Sequence, residues 1–151
     1  MSAVNPFLKT PNLDIYWVVN SSEVQIPFYR AGIAAGFPSP ATDFLESTID
    51  LNKHFIKNPS STFLAIAKGF SMRDAGIDNG DILIIDRSLE PGNGKIAVCV
   101  INGEFTLKRL SVSGNEIWLT SENKEFKPIK ISEFHDFEIW GILTFSIKAH
   151  K

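Results

Sequence analysis

From residue 62 onward the apolar residues fall in short runs divided by turns, the rhythm of strands rather than helices. Residues 62–68 and 81–86 predict two strands. Between them, Gly69-Phe70-Ser71-Met72 predicts a tight turn that enters one turn of helix ending near Gly76. Asp78-Asn79-Gly80 predicts a further turn, and Pro91-Gly92-Asn93-Gly94 another. Residues 95–101 and 104–110 flank Asn102-Gly103. Asn-Gly between two apolar runs is the strongest short hairpin signal, because both central residues must take positive φ. Ser113-Gly114-Asn115 turns the chain into residues 116–120, and residues 137–148 predict a long final strand or a bent pair broken at Gly141.

The first part of the chain reads differently, with a division near residues 36–40. Residues 13–19 and 23–29 are strand-like, and in the second Val24, Ile26 and Phe28 alternate with Glu23, Gln25 and Pro27. Pro27 suits an edge, since proline brings no N–H to a ladder. An arm over residues 1–35, lying on a larger body as an added edge strand, is therefore expected. It is too short, and wrongly patterned, for a helix-turn-helix domain. Ser39 is a plausible N-cap and Pro40 a good first helical residue. Residues 41–49 then predict a short helix with Phe44, Leu45, Thr48 and Ile49 near one face. Asn58-Pro59-Ser60-Ser61 predicts a loop. The expected architecture is a mostly β domain over residues 36–151, with a short helix near its start and an extended arm before it.

Composition narrows the function. The chain has 151 residues, 44% hydrophobic and 21% charged, enough to bury a core and unlike a disordered chain. Its formal charge of −2 and isoelectric point near 5.9 argue against holding DNA mainly through phosphates, so little direct DNA binding is expected. A single cysteine, Cys99, excludes an internal disulfide and fits a cytoplasmic setting. The longest apolar runs fall far short of the roughly 20 residues that span a bilayer. The N-terminus lacks a charged stretch followed by an apolar one, so no signal peptide is expected.

The three histidines, His54, His135 and His150, form no metal-ligand spacing with Cys99 or with one another. No Gly-rich phosphate loop is present either, and neither metal nor cofactor is expected. Cys99 lies in Ile96-Ala97-Val98-Cys99-Val100-Ile101, where a packed core thiol is the natural reading. What remains is a serine on a turn and a lysine on a strand. Lysine replaces histidine as a general base when burial disfavours its ammonium form. Period-2 alternation puts Lys108 on the face of Thr106 and Leu110, and Arg109 with Leu107 and Phe105. Alternation alone does not choose between Lys108 and Arg109; chemistry does, because arginine stays protonated. The turn around Ser71 and Met72 can point backbone N–H groups at a developing oxyanion. Read alone, a serine opening a short helix is more often a cap, and a strand lysine more often solvated at its tip.

The order of the pieces carries more than each alone. Ala35-Gly36-Phe37-Pro38-Ser39-Pro40, Ile49-Asp50-Leu51-Asn52, Gly69-Phe70-Ser71-Met72, the run from Gly80-Asp81 to Asp86, and Gly103-Glu104-Phe105-Thr106-Leu107-Lys108 follow in sequence. Over about residues 35–148 this order resembles the self-cleaving Ser/Lys peptidases of the LexA and UmuD family. The resemblance implies a mostly β, LexA- and signal-peptidase-like domain that forms a homodimer. It makes Ser71 the nucleophile, Lys108 the general base and Ala35-Gly36 the bond cut. It further implies stimulation by RecA filaments on single-stranded DNA. The shortened product would join a UmuC-type Y-family polymerase for error-prone translesion synthesis in the SOS response. Two other readings are a non-cleaving polymerase accessory dimer and a LexA-like repressor. Against the second, 35 residues before the cut leave no room for an ordinary helix-turn-helix domain. Phe70 departs from the small or acidic residue the family places before the serine. Ala31-Gly32 is a second Ala-Gly, but only Ala35-Gly36 is followed directly by Phe37-Pro38-Ser39-Pro40.

Overall fold

The Asn102-Gly103 turn forms with φ of 48° and 81°, and joins two paired strands, β7 (Ile96–Ile101) and β8 (Glu104–Ser113). These belong to a computed structural model that describes residues 8–18, 25–28 and 47–150. The described residues fall into two units, 8–18 with 58–150, and 25–28 with 47–57.

The first unit is an antiparallel sheet. Its other strands are β1 (Leu8–Lys9), β2 (Leu13–Trp17), β5 (Thr62–Ala67), β6 (Ile82–Asp86), β9 (Glu116–Thr120), β10 (Ile129–Lys130) and β11 (Phe137–Ile147). The strand order is β1-β2-β5-β6-β11-β7-β8-β9-β10. Residues 13–17 of the expected arm thus add to the sheet by pairing with β5, and β1 lies outside them at its edge. Both sheet faces carry apolar side chains, which is why β6 and β7 read as near-continuous apolar runs. One face gathers Leu13, Ile15, Ala65, Leu83, Ile85, Val98 and Leu107. The other gathers Ala97, Cys99, Leu110, Leu119 and Ile142.

The larger cluster bends the sheet around itself. Trp140 of β11 packs on Phe63 of β5 and Phe105 of β8, with ring centroids 5.0 and 5.8 Å away. Asn12, just before β2, donates from Nδ2 to the carbonyl of Phe105 at 2.8 Å. β2 and β8 lie far apart in the strand order, so this bond requires the sheet to curl. The curl brings the end of β5 beside β8.

The second unit corrects the sequence reading. Residues 47–49, expected in a helix over 41–49, are part of a strand, β4 (Ser47–Asp50), and the rest of that helix lies outside the described residues. β4 pairs with β3 (Gln25–Phe28), where Pro27 sits opposite Thr48 in a two-stranded ribbon. Thr48 and Ile49 are β-branched and favour extended backbone. The helix, α1 (Leu51–Phe55), starts after Asp50, whose side chain accepts from Asn52 N–H at 3.0 Å. Asp50 is therefore the N-cap that ends the strand and begins the helix. Among the described residues no helix is long and apolar enough to cross a membrane.

Residues 137–147 form one strand, β11, rather than a pair, with register irregularities at Ile139/Gly141 and Leu143/Phe145. A Cβ at Gly141 would stand 2.6 Å from Cγ2 of Ile85, a fully buried β-branched side chain with little freedom to move. Gly141→Ala is expected to cost about 1–3 kcal/mol by overpacking. Urea unfolding monitored by tryptophan fluorescence measures it, and an unchanged midpoint would show that β6 yields at no cost.

Candidate active site

The loop between β5 and β6 is closed at its base by two backbone bonds. Ala67 N–H donates to the Asp81 carbonyl at 2.9 Å, and Gly80 N–H to the Ala67 carbonyl at 2.8 Å. Gly69 then turns the chain at φ 86°, a conformation that suits glycine, and its N–H donates to Asn79 Oδ1 at 3.0 Å. A 3₁₀ turn over Arg73–Ala75 follows and ends at Gly76 in the left-handed region. Met72 is 3% exposed and belongs to the core cluster; its carbonyl accepts from Ala75 and Ile77. Phe70, two residues earlier, is 60% exposed. Ser71 stands between the buried anchor and the exposed ring, so the turn presents it at the surface of a groove. Among the described residues, the backbone N–H groups of Ser71 and Met72 make no hydrogen bond, which leaves both free to meet an incoming oxygen.

Lys108 reaches the same groove from β8, opposite Ala97 of β7. Alternation works as the sequence predicts. Glu104, Thr106 and Lys108 line the groove, while Leu107 and Phe105 turn to the larger core cluster. Arg109 points away, held by the Glu122 carboxylate and by the Gly94 carbonyl at 2.6 Å. Lys108 is 7% exposed, and its ammonium lies 5.6 Å from the Phe126 ring centre. Burial lowers its pKa below the ordinary lysine value of 10.5. Cys99, on β7, is fully buried and its thiol is pushed up to about 12 by desolvation. A charge interaction with Cys99 works the other way on Lys108, but it is the smaller effect and desolvation prevails.

The groove has a volume of about 480 Å³. Ser71, Lys108, Phe70, Phe126, Thr106 and Asn12 are among its lining residues. No hydrogen bond joins Ser71 Oγ to Lys108 Nζ among the described residues, although catalytic contacts commonly tighten only when substrate binds. The Ala35-Gly36 bond lies outside the described residues. His135 accepts from Ser132 N–H at 2.9 Å, and neither it nor His150 lines the groove. No group of three or more His, Cys, Asp or Glu side chains is placed to hold a metal ion among the described residues.

Three residues of this site escape a reading of the sequence. Asn12 and Phe126 line the groove from segments distant in the chain, and Asn123, 3% exposed, donates from Nδ2 to the Phe70 carbonyl at 2.7 Å. Ser121-Glu122-Asn123-Lys124 reads as an ordinary polar loop. The one available signal is Phe126, an isolated aromatic between charged residues.

Comparison with known proteins places the chain in a family. The family model described as Peptidase S24-like matches residues 27–144. Protein MucA of Salmonella typhimurium is 39% identical over 140 residues, covering 91% of this chain and 95% of that protein. Protein ImpA of Salmonella typhimurium is 49% identical over 125 residues, covering 82% and 81% respectively. The LexA repressor of Ectopseudomonas mendocina is 38% identical over 111 residues, 73% of this chain and 54% of the repressor. With most of its length matched in this way, the chain belongs to the S24 peptidase family, the LexA and UmuD type of self-cleaving serine peptidase.

Proposed function

We propose that the chain cuts its own Ala35-Gly36 bond, with Ser71 as nucleophile and Lys108 as general base. The observation that carries this reading is a buried, desolvated lysine in the same groove as a serine raised on a turn. Neutral Nζ takes the Oγ proton as Oγ attacks the Ala35 carbonyl carbon. The Ser71 and Met72 N–H groups receive the oxyanion. The C–N bond breaks, the Gly36 amine leaves with the proton carried by Lys108, and Ala35 remains esterified to Ser71. Water then attacks that ester, with Lys108 again as base, and frees the Ala35 carboxylate. Small residues at both sides of the bond allow close backbone approach. An open length of strand favours this geometry. β9 pairs with β8 only from Arg109 onward, so among the described residues no strand covers that edge of residues 104–108 beside the groove, where Asn12 holds the Phe105 carbonyl.

The products are an arm of residues 1–35 and a body of residues 36–151. In this reading the body is a cytoplasmic homodimer that serves a UmuC-type polymerase in SOS mutagenesis. RecA filaments on single-stranded DNA accelerate the cut by stabilising a cleavage-competent pose of the arm. Likeness to MucA and ImpA supports this over a repressor role. Likeness to a LexA repressor leaves a gel-shift measurement as the arbiter.

Mass spectrometry after incubation with RecA, single-stranded DNA and ATP tests the cut. The wild-type chain is expected to lose residues 1–35. Ser71→Ala and Lys108→Ala are each expected to slow this by about 10³-fold or more, and so to stay whole. Loss of the arm from either variant at the wild-type rate defeats the assignment. A wild-type chain that binds a polymerase yet stays whole supports the accessory-dimer reading instead.

The pH dependence has a definite sign. Only neutral Lys108 accepts a proton, so the uncatalysed-by-RecA rate rises about tenfold per pH unit below its pKa and levels above it. Because burial depresses that pKa, the bend should lie below the value of an exposed lysine. Lys108→Arg should show neither rate nor bend, since arginine does not deprotonate. A wild-type rate that is flat or falls with rising pH, while circular dichroism shows the fold intact, rules out lysine as the base.

A further inference from the structure

We propose that Asn123 is a positioning residue that aims the Ser71 N–H into the groove by holding the Phe70 carbonyl; this rests on the reading of Ser71 as nucleophile. The argument is one of peptide geometry. Among the described residues no peptide bond is cis, and in a trans peptide C=O and N–H point in opposite directions within one plane. Fixing the Phe70 oxygen therefore fixes where the Ser71 hydrogen points. Two donors fix it: Asn123 Nδ2 at 2.7 Å and Arg73 N–H at 3.2 Å.

Asn123 is itself held. Its Oδ1 accepts from Glu125 N–H at 3.0 Å, so both ends of the carboxamide are engaged and its orientation is set. At 3% exposure it has little water to turn to. The Glu122 carbonyl accepts from Asp74 N–H at 2.6 Å, pinning the same loop to the 3₁₀ turn that follows Ser71. The loop also reaches the other half of the site. Glu122 holds Arg109, the neighbour of Lys108; Thr120 Oγ1 donates to the Arg109 carbonyl at 3.3 Å; and Phe126 faces the Lys108 ammonium. Residues 120–126 thus bridge the nucleophile turn and the base strand, and Asn123 is the side chain that acts on the serine peptide.

Asn123→Asp isolates the effect, since it keeps the shape and the acceptor for Glu125 N–H but replaces the donor by an oxygen. Self-cleavage without RecA is followed by mass spectrometry across alkaline pH, on full-length chains shown folded by circular dichroism and thermal melting. The plateau rate is expected to fall about 10- to 100-fold, with the bend at its wild-type pH. Asn123→Ser, which carries no charge and does not reach Phe70, should give the same pattern and carries the test if the aspartate variant fails to fold. A folded variant that cleaves at the wild-type rate overturns the proposal. So does a loss no larger than its unfolded fraction, or a shifted bend with an unchanged plateau, which would place the effect on Lys108. If the wild-type chain itself stays whole, the parent reading fails and this one with it. Wild-type cleavage beside unimpaired variants sinks this one alone.

Discussion

The burial of one sheet face is the constraint on which the site depends. Leu13, Ile15, Leu83, Ile85 and Val98 are all at most 1% exposed. Each such side chain contributes roughly 1.5–3 kcal/mol when fully buried. A flat sheet would leave much of this face wet, so the strands wrap until β2 and β8 approach and Asn12 bonds to Phe105. That closure is what sets the turn after β5 beside the start of β8. Neither Ser71 nor Lys108 has local signals that would bring them together. They share a groove because the apolar face between their strands has closed.

The two halves of the site are built by different local rules. Ser71 is placed by a turn whose neighbours differ sharply: Met72 is locked in the core and Phe70 is left in solvent. Lys108 is placed by strand alternation, which fixes a face but not a chemistry. The pleat sends Lys108 into the groove and Arg109 to the opposite face, where Glu122 and Gly94 hold it. A one-residue slip of β8 would exchange them and leave the groove with a permanently charged guanidinium. The β7–β8 hairpin guards against that slip, since its two positive-φ residues fix the pairing of Ile101 with Glu104.

What the sequence revealed follows from how local each feature is. The Asn102-Gly103 hairpin, the turn at Gly69 and the Lys108/Arg109 division all depend on neighbours in the chain, and all were legible. Residues 47–49 mislead because the capping signal at Ser39-Pro40 points to a helix, whereas the β-branched pair Thr48-Ile49 extends the chain and Asp50 is the cap that starts the helix after it. Asn123 was illegible for another reason. Its partner Phe70 is 53 residues away, and nothing near Asn123 distinguishes it from any polar loop residue. The cleavage bond is legible only through resemblance, because two small residues carry no chemistry of their own.

Burial at β7 and β8 has opposite consequences for two neighbouring groups, and both serve one end. Desolvation disfavours the charged form of each. For Cys99 that form is the thiolate, and the thiol is held up near 12, inert as a nucleophile. For Lys108 it is the ammonium, so its pKa moves down toward the range where it accepts a proton. The charge interaction between the two groups opposes both shifts and is the smaller cause for each. Desolvation prevails, so the low dielectric that disarms the cysteine also favours the neutral lysine. A carboxylate in place of Cys99 would reverse this even with Lys108 equally buried, because a paired ammonium is stabilised where an isolated one is not. The apolar character of β7 beside Lys108 is thus as much a part of the site as the lysine itself.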